Sequence, residues 1–258
     1  MIMKMDDLQK FSKHATDTLE ALFQAAKSKD EFAYIFALLG INSGAEDMGW
    51  QPINETRRLT QELCSLVNTP LNDHTKMRLL LLLYCQVSEA SYPYHVLYNM
   101  LLTIEAESPP KVFNFLEQYR KGVPPSVKSK VQQICEKAIT LGHPDIKTIL
   151  DTVFNLPIRN AVSHADFILF NDALRLKHTG REIMEIPLDE VLLIINKAVN
   201  FFEIMFITLH KHKTAYKDGH VIKNRKNNAG MNISSVTLSV DPRYGVNGFS
   251  TSDPLPIW

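Results

Sequence analysis

A chain of 258 residues with 45% hydrophobic and 22% charged positions has room for one large or two modest domains and excludes disorder throughout. Its 28 Lys and Arg are matched by 28 Asp and Glu, so no net field draws in a polyanion, and nucleic acid would have to be held by a local patch. Cys64, Cys85 and Cys135 form no CxxC or other close ligand spacing. They read as small buried hydrophobes in a reducing compartment, so neither a metal nor another cofactor is expected. The opening MIMKMDDLQKF places acids where a signal peptide would continue its apolar run, which points to the cytoplasm.

In chain order, helical periodicity predicts helices at about 6–28, 30–39, 54–67, 73–104, 110–121, 124–141, 143–154, 157–171 and 188–216. Stops are supplied by Gly40, Asn42 and Gly44, by Pro109 and Pro110, by Gly122 with Pro124 and Pro125, and by Gly142. The fold class is therefore mainly α, a helical bundle. One interruption is ALRLKHTGREIMEIP, 173–187, where Leu174 and Leu176 alternate before a turn at Gly180 and apolar positions resume at Ile183 and Ile186; this reads as a small inserted β-hairpin. The chain divides into an N-terminal helical region (1–72), a helical domain carrying the hairpin (73–218) and a polar tail (219–258). Within that tail SSVTLSV, with Val236, Leu238 and Val240 on one face, suggests one strand.

Two helices stand out for their composition. In the first, Glu89 lies among Leu79 to Leu83, Tyr92 and Tyr94, with Pro93 interrupting. It reads as a surface-facing glutamate on a core helix, with a pairing to Arg159 or His164 as the alternative. Tyr92, Tyr94 and Tyr98 read as core or interface residues. The second, VLLIINKAVNFFEIMFITL at 191–209, is long enough for a bilayer but carries Lys197 and Glu203 near its middle. Asn196, Asn200 and Glu203 make one narrow polar stripe. A buried helix in a core or an oligomer interface is expected rather than a membrane span.

The stretch NLPIRNAVSHADFIL, 155–169, places a cation, an amide and an imidazole in an otherwise apolar segment. Pro157 is suited to a first turn and Asn155 to a cap just outside it. Arg159 then lies near a helix N-terminus, where free backbone donors and the dipole already favour an anion. Asn160 and His164 are four apart and share a helical face, whereas Arg159 and His164 are about 140° apart and converge only if the long arginine wraps. Taken singly, the three read as a surface charge, a cap-region amide and a hydrogen-bonded core histidine.

Taken together, IRNAVSHADF resembles the signature of the HEPN superfamily of helical domains, in which an arginine is followed by four to six residues and then a histidine. Arg159, Asn160 and His164 fit it in order, and the resemblance extends over about residues 73–216. It implies a metal-independent ribonuclease that dimerises so that two motifs face one another, with His164 as acid/base, Arg159 as the phosphate-stabilising cation and Asn160 orienting backbone or substrate. A subset of the family, paired with a nucleotidyltransferase antitoxin, has Tyr two residues after the histidine, where this chain has Asp166. An antitoxin or defence-system partner is thus only a possibility carried by the family. The expected partners are RNA and a second copy of the chain, with no membrane; the competing expectation is a non-catalytic module for dimerisation or for binding nucleotide or RNA.

The run LHKHKTAYKDGHVIKNRKN, 209–227, sets six Lys or Arg against Asp218. Lys223, Arg225 and Lys226 are the candidates for holding an RNA backbone; a solvated helix end leading into the tail is the other reading. The alternate spacing of His210 and His212, with no cysteine near, does not make a metal set.

Overall fold

The computed structural model describes residues 2–39, 52–105, 125–177, 183–216, 236–241 and 245–251. The chain is a mainly α bundle with a small antiparallel sheet. Its helices are α1 (Ile2–Lys29), α2 (Glu31–Leu39), α3 (Pro52–Val67), α4 (Asp73–Glu89), α5 (Ser91–Glu105), α6 (Val127–Thr140), α7 (Pro144–Val153), α8 (Leu156–Ser163) and α9 (Leu188–Thr214). The strands β1 (Phe167–Phe170), β2 (Ala173–Lys177) and β3 (Ile183–Pro187) lie between α8 and α9, and β4 (Val236–Asp241) and β5 (Gly245–Thr251) follow α9.

Local chemistry accounts for most of the boundaries. Asn72 caps α4 through a bond from the Thr75 N–H (2.9 Å), and Ser126 caps α6 through Ser129 (3.3 Å). Helix α6 closes with the N–H of Gly142 on the Ile139 carbonyl and that of His143 on the Ala138 carbonyl. This is a Schellman end whose left-handed residue is Gly142 at φ +78°. The single helix expected over 73–104 is two, parted at Ala90 with ψ 104°. Pro93 explains the break: its ring clashes with the carbonyl four residues back, that of Glu89, and it has no N–H to give. Glu89 is left at the C-terminal end of α4.

The helix expected over 157–171 also needs correction. It stops at Ser163, because the N–H groups of Ala165 and Asp166 fold back onto the carbonyls of Val162 and Ala161. This second Schellman end uses Ala165 at φ +58° where most proteins place glycine. Residues 167–170 become β1, paired antiparallel with β2 from Phe167↔Leu176 to Phe170↔Ala173 across a tight turn with Asn171 at φ +50°. The expected hairpin of β2 and β3 is present, in the register Leu174↔Ile186 and Leu176↔Met184, but it is part of a three-stranded sheet. Its Gly180 turn and the helix expected at 110–121 lie outside the described residues. The one strand expected in the tail is a pair, β4 with β5, close to α9.

Among the described residues one core runs from Phe11 on α1 to Tyr216 beyond α9, joining the first three helices to those from residue 73 onward. Helix α9 crosses its centre against α1, α4 and α7, burying Val191, Ile195, Ala198, Phe201, Phe202, Met205 and Leu209. By length and composition it is apolar enough to cross a membrane. Its polar stripe has partners inside the fold instead: Asn200 Oδ1 is 2.7 Å from Ser12 Oγ, and Glu203 pairs with Arg57 at 3.3 Å. Part of the apolar surface of α9 is thus used within the chain, and Ile207 remains exposed.

Candidate functional site

Helix α8, which carries the Arg159 motif, is pinned from both directions. Asn155 caps it, its Oδ1 accepting from the Ile158 N–H at 3.0 Å, with Pro157 in the first turn. Behind the joint stands Tyr84 of α4, fully buried. Its hydroxyl accepts from the Asn155 N–H (2.6 Å) and donates to the Val153 carbonyl (3.2 Å), so one side chain ties α4 to the end of α7 and the start of α8. Burial and Ile158, Ala161 and Val162 then turn the apolar face of α8 inward.

This leaves Arg159 half-buried beside α4, where its Nε and a terminal nitrogen pair with Glu89. The other terminal nitrogen donates to Asn160 Oδ1 at 2.9 Å. Glu89 is exposed, as the surface reading has it, and also makes the pairing with Arg159 that was its alternative, because the break at Ala90 brings the end of α4 alongside α8. Cys85, one turn earlier, directs its thiol at the Arg159 carbonyl (3.7 Å) and lies 3.8 Å from Ser163 Oγ. Burial raises the pKa of that thiol despite the help of Ser163 and Arg159, which keeps it protonated and a poor nucleophile.

His164 is the C-cap of α8 and is exposed, so the core-histidine reading does not hold. Its backbone N–H donates to the Asn160 carbonyl at 3.0 Å. Its imidazole makes no hydrogen bond or ion pair among the described residues. The structure thus brings Arg159, Asn160 and Glu89 together and sets His164 at the far end of the same two-turn helix, bonded to none of their side chains. Lys223, Arg225 and Lys226 lie outside the described residues.

The first part of the basic run does not fit a solvated helix end. Lys213 is 6% and His212 7% exposed. The Tyr34 hydroxyl donates to His212 Nδ1 (2.6 Å), and Nε2–H in turn reaches Glu20 (3.1 Å). Burial lowers the pKa of His212, which fits the neutral ring that this donor and acceptor order requires. Lys211 bonds Glu20 and Lys213 bonds the Tyr92 hydroxyl. These residues hold α9 to α1, α2 and α5, with Lys211 still exposed to solvent.

Sequence reasoning passed over a cluster beside Glu89. Lys130 of α6 is 6% exposed, its Nζ 2.6 Å from Ser91 Oγ at the start of α5. His95, one turn along α5, has its pKa pushed down to about 4 by burial, with Lys130 adding to the effect. The available signal was positional: Lys130 shares the face of Val127, Val131 and Ile134, all buried. Among the described residues no group of three or more His, Cys, Asp or Glu is placed to hold a metal ion. No family model, curated protein or solved structure matches the chain.

Proposed function

We propose that the chain is a metal-independent endoribonuclease of the HEPN type, acting through Arg159, Asn160 and His164. The observation that supports this best is the state of the two ends of α8. A guanidinium is held in a fixed orientation by Glu89 and Asn160 at one end, and an exposed imidazole without a partner among the described residues is presented at the other. RNA brings its own nucleophile. His164 takes the proton of the 2′-hydroxyl as that oxygen attacks phosphorus, the bond to the 5′-oxygen breaks, and Arg159 offsets the charge growing on the phosphoryl oxygens. The products are a 2′,3′-cyclic phosphate and a 5′-hydroxyl, and DNA is inert. One imidazole cannot be base and acid in the same step, so the leaving oxygen is protonated by His164 of a second copy. A defence or toxin-like effector role follows from the same resemblance.

Purified protein incubated with total RNA and a chelator should cut it, and His164→Ala and Arg159→Ala should not. Cleavage by folded His164→Ala at the unaltered rate would remove that histidine from the mechanism. A second reading is favoured by the pairing of Arg159, already neutralised by Glu89 and not joined to His164: a non-catalytic HEPN-like module for dimerisation or for nucleotide or RNA binding. It gains if no RNA is cut while both variants lose self-association or nucleotide binding.

A further inference from the structure

Lys130 is in an electrostatically unfavourable place for a structural ammonium. It is buried, and the Ser91 hydroxyl is its one hydrogen-bond partner among the described residues, with no carboxylate in contact. A buried ammonium without a counter-ion is strongly disfavoured, because the lost hydration is not replaced. Two helix ends make it worse: Lys130 lies at the beginning of α6, capped by Ser126, and its Nζ meets the first residue of α5. Both ends carry the positive pole of a helix dipole, which repels a cation. All three features favour the free amine. Burial does lower the pKa of Lys130, with the carboxylate of Glu89 opposing in part.

Ser91 has the complementary properties. It is exposed, and it stands at the N-terminus of a 15-residue helix. The backbone N–H groups of Ser91 and Tyr92 make no hydrogen bond among the described residues, as expected for a first turn. They are donors available to an oxygen that gains negative charge beside the serine.

The geometry points to Ser91 and Lys130 as a nucleophile and base dyad for acyl transfer, a second activity separate from the Arg159 cluster. Ser91 Oγ attacks the carbonyl carbon of an ester or similarly activated acyl group while its proton passes to Lys130 Nζ. The carbonyl electrons move onto oxygen, which faces the first-turn amides of α5. As the carbonyl reforms, the alcohol leaves and takes the proton from Lys130. Water then attacks the acyl-serine with Lys130 again as base, releasing the acid and restoring Ser91. Serine with lysine is an established variant of serine nucleophile activation.

The test is covalent labelling of the full chain with an alkyl fluorophosphonate, in which the Ser91 oxygen bonds to phosphorus and fluoride leaves. Intact mass and peptide mapping should place one adduct on Ser91, and Ser91→Ala should abolish it. Lys130→Arg keeps the charge and most of the volume but cannot give up its proton, so it should slow labelling by about 10²-fold or more. Lys130→Met, similar in length and uncharged, should do the same, and circular dichroism identifies whichever variant is folded. RNA cleavage by Ser91→Ala should equal that of the parent, so this inference and the ribonuclease reading fail separately. No adduct under excess probe, an adduct on another residue, or unchanged labelling of a folded Lys130 variant would each overturn the dyad.

Discussion

Replacing Tyr84 by phenylalanine tests whether the joint that aims α8 is built as described. The hydroxyl is fully buried, accepts from the Asn155 N–H at 2.6 Å and donates to the Val153 carbonyl at 3.2 Å. Removing it leaves the ring in place, so the packing term is small. The cost comes from two backbone groups that lose a partner. A buried polar group left unsatisfied costs about 1–3 kcal/mol. Asn155 is partly exposed, so water can reach its N–H, and the expected net loss for the pair is about 1–2 kcal/mol. In a chain of this size that corresponds to a fall in Tm of roughly 2–8 °C. Urea unfolding gives the free energy, with an unchanged m-value as evidence that the folded state keeps its compactness. Hydrogen exchange at the Asn155 amide gives the local effect, and its protection should drop by more than that of amides in α9. A change below about 0.5 kcal/mol, the ordinary range for a surface substitution, would mean that Tyr84 does not hold the joint.

His95 supplies a prediction in pH. Its pKa lies at about 4 in the folded chain, from burial first and Lys130 second, against about 6.5 unfolded. The unfolded chain therefore binds a proton that the folded one refuses, and stability falls as pH drops from about 6.5 to about 4, by on the order of 3 kcal/mol in full. Urea midpoints at several pH values should show a shallower fall for His95→Gln; an identical slope would remove His95 as a contributor. Truncation after Lys217 should keep the helical far-UV spectrum, because the helices α1 to α9 share a core among themselves, although it uncovers the part of α9 that β4 and β5 approach; loss of the cooperative transition would show that this approach is needed for folding. If the same truncation leaves the salt dependence of RNA binding unaltered, Lys223, Arg225 and Lys226 do not contact phosphates.

Much of the bundle was legible in the residues because helices are specified locally. Apolar spacing sets the face, and Asn72, Ser126, Asn155 and Gly142 set the ends through bonds made within a few residues. Pro93 carries the same kind of local signal, yet the expected helix ran through it over 73–104, and the structure breaks it at Ala90. The end of α8 was not legible. Nothing at Ala165 advertises a left-handed residue, and the exchange of a helix at 167–170 for a strand is decided by β2, which offers backbone partners from a neighbouring segment. The site follows the same division. The residues of the motif could be read from IRNAVSHADF, including the cap and the first-turn position of Arg159. Its pairing with Glu89 joins residues 70 apart in the chain, and the contact of Lys130 with Ser91 joins residues 39 apart. Periodicity showed that Lys130 shares a face with valines and isoleucines, but a side chain's burial and its partner depend on which helix lies against that face. Only the packing of α4, α5, α6 and α8 could decide that.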